Sequence, residues 1–322
     1  MAYAPLSRRT AAAAALLPAA AALMESAAQG QPRGPAVWLD MDQAALDAAY
    51  DQSVYAPNFR QVLDRYAANS RLTRQALGNP LRYPYGAMEI EALDIYRTGR
   101  SGRSPVLIFL HGGAWRAGLA RDYAFPAECF VRAGAHFVVP DFSWVQDRGG
   151  DLMAVADQIR RSIAWVARNA NTFGGDPERL FIAGHSSGAH MSAVALTTDW
   201  AGAFGLPADL LKGGLLVSGP YDLMPVRLSA RSSYVRLTDE SEAALSPQRH
   251  IAALRAPVVV VHGALETPEY QRHARDFAAA VAAAGKPVQS IRGEHYNHFE
   301  IAETMANPYG LAGRAGLQLL GL

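Results

Sequence analysis

The sequence predicts an α/β architecture with a mostly parallel central sheet between layers of helices. Three observations carry that expectation. Continuous apolar runs such as Pro105-Val106-Leu107-Ile108-Phe109-Leu110 and Val258-Val259-Val260-Val261 suit parallel strands covered on both faces. Those runs alternate with segments of helical period along most of the chain, the pattern of strand-helix repeats in a layered sheet. The residues able to do chemistry fall just after the strand runs, where sheets of this kind collect their ligands.

Taken in order, the segment from Met41 to Leu77 has Leu46, Ala49 and Tyr50, then Phe59, Val62, Leu63 and Tyr66, at helical spacing. A helical segment is therefore expected over 41–80, followed by a strand over 88–96. Strands are next expected at 105–110, 135–140, 179–183, 214–218, 257–262 and 287–292. Between them lie helices near 121–133, 151–170, 187–198, 241–253 and 268–284. Asp176-Pro177 and Ala256-Pro257 punctuate turns ahead of two of the strands.

The chain has 322 residues, half of them hydrophobic, and a formal charge of +1. That length supports one large domain with a full core, and no repeat or linker calls for a second. Near neutrality gives no electrostatic reason to expect nucleic acid as a partner. Residues 1–28 read as an export signal. Arg8-Arg9 precede a short apolar stretch from Ala11 to Leu23, and Ser26-Ala27-Ala28 supply small residues for cleavage. The paired arginines suggest the twin-arginine route, and with it a periplasmic location, although alanines stand where bulky residues usually follow. The mature domain is then 29–322. Cys129 is the single cysteine; it precludes an internal disulfide and reads as core filling.

Phe181-Ile182-Ala183-Gly184-His185-Ser186-Ser187-Gly188 runs from an apolar strand into G-x-S-x-G and on to small, helix-compatible residues. This is the form of a nucleophile elbow, a sharp strand-to-helix turn that presents Ser186 at a helix N-terminus. His111-Gly112-Gly113-Ala114-Trp115 follows the strand at 105–110. Its glycines free backbone N–H groups to point into a site, as acyl transfer needs for an oxyanion. Together, motif order and strand alternation give the α/β-hydrolase fold. A serine of this kind needs a base and an orienting acid, in the chain order Ser, acid, His. His298 is the candidate base, with His295 its rival; position alone hardly separates them. Glu266, close behind the strand at 257–262, is the candidate acid, whereas Glu269 suits the first turn of the next helix. Glu294, His295 and His298 match no strong zinc spacing, so neither a metal nor a cofactor is expected. His185 and His190 read as structural hydrogen-bonding residues and Asp222 as a loop-stabilising carboxylate.

With these residues assembled, the chain resembles the kynurenine formamidase (arylformamidase) group of α/β hydrolases, near the hormone-sensitive-lipase-like esterases. The resemblance runs from about Leu46 to the C-terminus. It rests on Leu93-Asp94-Ile95-Tyr96, His111 to Trp115, Gly184 to His190 and Leu216 to Leu223, with Ser246-Pro247, Thr267-Pro268-Glu269-Tyr270 and His298-Phe299-Glu300. It implies Ser186 as nucleophile, His298 as base, and an oxyanion hole from the amides of Gly112, Gly113 and Ser187. The family usually has aspartate where this chain has Glu266. It also implies that the helical segment before Met88 helps cover the site, and that the substrate is a small aryl formamide. Such a substrate needs almost no acyl pocket and a roomy apolar leaving-group side, for which Trp115, Trp144 and Tyr296 are candidates. An exported member sits oddly with a cytosolic N-formylkynurenine, so a carboxylesterase for short acyl or aryl esters is the alternative. A non-catalytic binding protein on this fold is the reading from another class.

Overall fold

A computed structural model describes residues 34–322; the expected export segment at 1–28 lies outside them. Eight strands form one sheet: β1 (Leu81–Pro84), β2 (Ala92–Tyr96), β3 (Ser104–Leu110), β4 (His136–Pro140), β5 (Gly175–His185), β6 (Leu211–Val217), β7 (Val258–Gly263) and β8 (Val288–Gly293). Their spatial order is β1-β2-β4-β3-β5-β6-β7-β8. β1 and β2 are antiparallel to their neighbours, and every pairing from β4 to β8 is parallel. Alternate residues of β3 serve opposite layers. Val106, Ile108 and Leu110 enter one buried cluster, and Leu107 and Phe109 the other, as the two-residue period of a strand requires.

The α-helices are α1 (Gln43–Ala49), α2 (Phe59–Leu77), α3 (Ala127–Ala133), α4 (Leu152–Asn169), α5 (Ser187–Leu196), α6 (Trp200–Phe204), α7 (Met224–Leu228) and α8 (Asp239–Ala244). They continue with α9 (Pro268–Ala283), α10 (Glu300–Glu303) and α11 (Leu311–Leu320). Helices α4, α5 and α9 supply Ile159, Met191 and Phe277 to one face; α2, α3 and α11 supply Tyr66, Phe130 and Ala315 to the other.

Several expected boundaries shift. The single helical stretch expected at 41–77 is two helices, because Asp51 caps a separate short turn at Gln52–Val54 and Pro57-Asn58 precede α2. The strand expected from 88 starts only at Ala92, and β1 pairs with it, Arg82 opposite Asp94. The helix expected over 241–253 stops at Ala244; Pro247 then starts a short 3₁₀ turn, followed by another at Ile251–Ala253, since proline tolerates only the first turn of a helix.

At the junction of β5 and α5 the packing leaves no space. A Cβ on Gly188 would lie 2.0 Å from the Leu110 carbonyl oxygen and 2.6 Å from that of His111. Gly188→Ala should therefore destabilise the protein by ~1–3 kcal/mol or more, read as a lower urea midpoint. An unchanged midpoint would mean that β3 can retreat from α5.

Candidate active site

β5 ends at His185 and α5 begins at Ser187, leaving Ser186 alone in the turn with φ 56° and ψ −124°. A non-glycine residue there is strained by roughly 1–3 kcal/mol. Two backbone bonds hold it: its N–H donates to Val217 O at 2.8 Å, and its carbonyl accepts from His190 N at 3.1 Å. The turn lifts the hydroxyl clear of the sheet, and the first amides of α5, beginning with Ser187, have no intrahelical acceptor.

His298 Nε2 lies 2.9 Å from Ser186 Oγ, and His298 Nδ1 lies 2.9 Å from Glu266 Oε2. Glu266 is itself fixed: its Oε1 accepts from Ser218 Oγ at 2.6 Å and from Gly263 N at 2.6 Å. All three side chains are buried. Glu269 points elsewhere, forming a two-pronged pair with Arg272 at 2.6 and 2.8 Å. His295 lines a separate cavity beside Arg65 and Glu303, so the neighbouring histidines do not converge. Among the described residues no group of three or more His, Cys, Asp or Glu side chains is placed to hold a metal.

Gly112 and Gly113 lie against the elbow. A Cβ on Gly112 would be 3.1 Å from Ser186 Cβ, and one on Gly113, at φ +117°, would be 2.1 Å from the Ala117 carbonyl oxygen. The backbone remains left-handed through Ala114 (φ 53°) and Trp115 (φ 60°). This tight loop brings main chain, with no side chain in between, close to the serine.

The histidines around the elbow are braces. His185 Nε2–H donates to the His298 carbonyl at 2.8 Å. His190 Nε2–H donates to Leu245 O at 2.7 Å, and its Nδ1 accepts from Trp115 Nε1–H at 3.2 Å. The chain's N-terminal segment steadies the same loop: Asn297 donates to Asn58 at 3.0 Å, Asn58 to Glu300 at 2.7 Å, and Tyr66 donates to the Phe299 carbonyl. Asp222 accepts from Met224 N at 3.0 Å, within its own loop.

Burial keeps several of these histidines neutral. It drives His185 down to about 3, helped by the neighbouring His298, and His190 to about 4. His273 is pushed to about 3 by burial and then by Arg272. An unfolded histidine binds its proton near pH 6.5. Between that pH and the native values the unfolded chain holds more protons. The stabilisation is therefore complete above pH 6.5 and shrinks as pH falls toward 4. Melting temperature should drop clearly between pH 7 and pH 5, with a loss on the order of 1–2 kcal/mol per histidine at pH 5. A melting temperature that is flat over that range would show that these rings take up protons in the folded state.

A cavity of about 860 Å³ opens above Ser186 and His298. Tyr50, Phe59, Leu63, Tyr123, Tyr234 and Phe299 form much of its wall, and Arg116 and Arg231 add cations. This corrects the expected substrate-lining residues. Trp115 is buried and tied to His190, Trp144 donates to Gly118 O at 3.0 Å, and Tyr296 lines the other cavity with His295. None of the three is among the residues that wall the cavity over Ser186. The aromatics that do so come partly from the N-terminal segment, where their helical spacing read as core. Tyr270 also went unassigned. Its ring stands edge-on to His298 at 4.9 Å. Its hydroxyl is buried beside Ser186 and Arg231, and burial raises its pKa, so it stays a neutral phenol.

A hydroxyl, an imidazole and a carboxylate on one hydrogen-bonded line, under an eight-stranded sheet's carboxyl edge, define a hydrolase-class enzyme of the α/β-hydrolase superfamily. Comparison with known proteins agrees with that class. The family model described as BD-FAE matches residues 93–205. Kynurenine formamidase of Danio rerio is 27% identical over 88% of this chain and 98% of its own length. That of Salmo salar is 29% identical over 84% of this chain and 94% of its own. The esterase LipQ of Mycobacterium tuberculosis is 30% identical over 69% of this chain and 58% of its own length. Among solved structures, the esterase of Pyrobaculum calidifontis superposes with a TM-score of 0.63 at 16% identity, covering 84% of this chain and 95% of that one. At that identity the likeness speaks for the fold. General hydrolysis of small organic substrates, of the esterase type, is the activity these findings support together. Among the described residues no helix is long and apolar enough to cross a membrane.

Proposed function

We propose that this chain is a serine hydrolase of small aryl formamides, of the N-formylkynurenine type. The observation that carries the reading is the Ser186–His298–Glu266 line, with 2.9 Å at each step, facing an aromatic-walled cavity. Likeness to two fish kynurenine formamidases along most of both chains supports the substrate class.

In the proposed mechanism His298 Nε2 takes the Ser186 proton as Oγ attacks the formyl carbon. Glu266 holds the Nδ1–H tautomer and stabilises the imidazolium. The amides of Gly112, Gly113 and Ser187 receive the oxyanion; losing one such donor typically costs ~100- to 1000-fold in kcat. His298 then gives its proton to the departing aryl nitrogen, and water, deprotonated by the same ring, releases formate from Ser186. A formyl group needs no acyl pocket, so the aromatic cavity is left for the amine.

A short-chain carboxylesterase is the second reading. The basic, apolar, alanine-rich leader at 1–28, proposed here as a signal for export to the periplasm, favours it, since export would separate the enzyme from a cytosolic formamide. The two readings part on kcat/KM for N-formylkynurenine against 4-nitrophenyl acetate and butyrate. Formamide turnover well above butyrate turnover supports the formamidase. Ester turnover with little formamide cleavage supports the esterase and removes the first reading.

A further inference from the structure

We infer that Arg231 is a docking point for a carboxylate on the substrate, so that the cavity above Ser186 selects anionic acyl-transfer substrates. Arg231 lies in the short turn Ala230–Ser233 and lines the cavity together with Ser186 and His298. One arm of its guanidinium is anchored: Nη2 donates to the Tyr50 carbonyl at 2.8 Å. Its carbon centre lies 5.3 Å from the Tyr50 ring and 5.8 Å from the Trp115 ring. The other arm is not satisfied, for Nη1 is buried without a hydrogen-bond partner.

The charge is equally unmatched. Several other guanidinium groups have carboxylates: Arg82 takes Asp94 and Asp141, Arg249 takes Glu242, and Arg272 takes Glu269 and Asp276, while Arg116, on the same cavity wall, stacks on Tyr234 at 4.5 Å. Among the described residues Arg231 has no carboxylate at ion-pair distance. The two acids that line the same cavity are held by other donors. Asp47 accepts from Ala230 N at 2.6 Å and Gln43 Nε2 at 2.9 Å, and Asp51 accepts from Ser53 N and Oγ at 3.0 and 2.6 Å.

A guanidinium does not lose its proton in a protein, so the charge persists. A buried guanidinium N–H without a partner is unfavourable, and the half-buried Arg231 keeps one here beside the serine. The Tyr270 hydroxyl, next to Arg231 and Ser186, is a second group able to donate to a bound anion. A buried guanidinium N–H and a neighbouring phenol, with no protein carboxylate at ion-pair distance, offer two donors to an anionic oxygen brought in by a ligand. A carboxylate fits, because its planar oxygens match the guanidinium fork.

The turnover arm of the test rests on the hydrolase reading; the binding arm does not. Ser186→Ala protein should bind 3-phenylpropanoate at least ~10-fold more tightly than 3-phenylpropanamide by calorimetry, the scale of a charge-assisted bond. Equal affinities would overturn the assignment whatever the variants do. In active enzyme, kcat/KM for 3-(4-acetoxyphenyl)propanoate should exceed that for the matching propanamide. Arg231→Gln should bring the ratio close to one, and Arg231→Lys should restore part of it. An equal loss on both substrates would instead make Arg231 a transition-state or structural residue and contradict the inference. If neither acetate ester is cleaved, the short-chain esterase reading fails while the calorimetric result still decides on the carboxylate.

Discussion

Ser186→Ala should lower kcat by ~10⁵- to 10⁶-fold on either a formamide or an aryl ester, with KM changed only a few-fold. The size follows from what the hydroxyl does. Among the described residues it is the only hydroxyl hydrogen-bonded to His298 Nε2 and able to attack, and without it the proposed oxyanion donors have no serine adduct to stabilise. The substitution adds no atom and keeps the strained backbone that Val217 and His190 already hold in place. The variant should fold, so the loss is a statement about chemistry. A residual rate within 10-fold of the parent would place the nucleophile elsewhere.

Glu266→Gln should cost ~10³- to 10⁴-fold in kcat, for a reason visible in the hydrogen bonds. Glu266 Oε1 receives two donors, Ser218 Oγ and Gly263 N, each at 2.6 Å. A glutamine must keep its oxygen there, which turns its NH₂ toward His298 Nδ1. Facing a donor, Nδ1 must accept, so the ring proton moves to Nε2 and the base can no longer receive a proton from Ser186. Glu266→Asp keeps the charge but draws the carboxylate back by one methylene, and misplacement of about 1 Å in a site is worth ~100-fold. The expected order of kcat is therefore parent, Asp, Gln. Equal activity of Gln and parent would mean that another group orients His298.

Much of this site was legible in the sequence because it is made of local patterns. The elbow needs a strand, a glycine on each side of one serine, and a helix, all within a few residues; Gly184 and Gly188 stand where a Cβ would meet backbone. The proposed oxyanion loop, His111 to Trp115, is likewise one contiguous stretch. The choice between His295 and His298 was different, because the two are three residues apart in an irregular loop. Contacts from distant segments decide it: His185 Nε2 holds the His298 carbonyl, and Asn58 and Tyr66 hold the loop on either side.

What periodicity could not reveal was the identity of the cavity wall. Tyr50 is buried in the core as its spacing predicts, yet it also lines the cavity over Ser186 together with the half-buried Phe59. Trp115 and Trp144 carry large apolar surfaces next to the motif, but their indole N–H groups are held by His190 and Gly118, which keeps Trp115 buried and Trp144 half-buried outside the cavity wall. Arg231 gave no signal at all. A guanidinium in a polar, serine-rich stretch reads as solvated, and only burial without a carboxylate marks it out. The antiparallel edge strand β1 was missed because all four of its residues are exposed, which removes the alternation that identifies half-buried strands.

The most direct measurement of the central claim is mass-spectrometric mapping of the protein after reaction with a fluorophosphonate. A single adduct on Ser186, lost in parallel with hydrolytic activity, is the predicted result. No adduct under conditions that inactivate the enzyme, or an adduct on a different residue, would contradict the assignment of Ser186 as nucleophile.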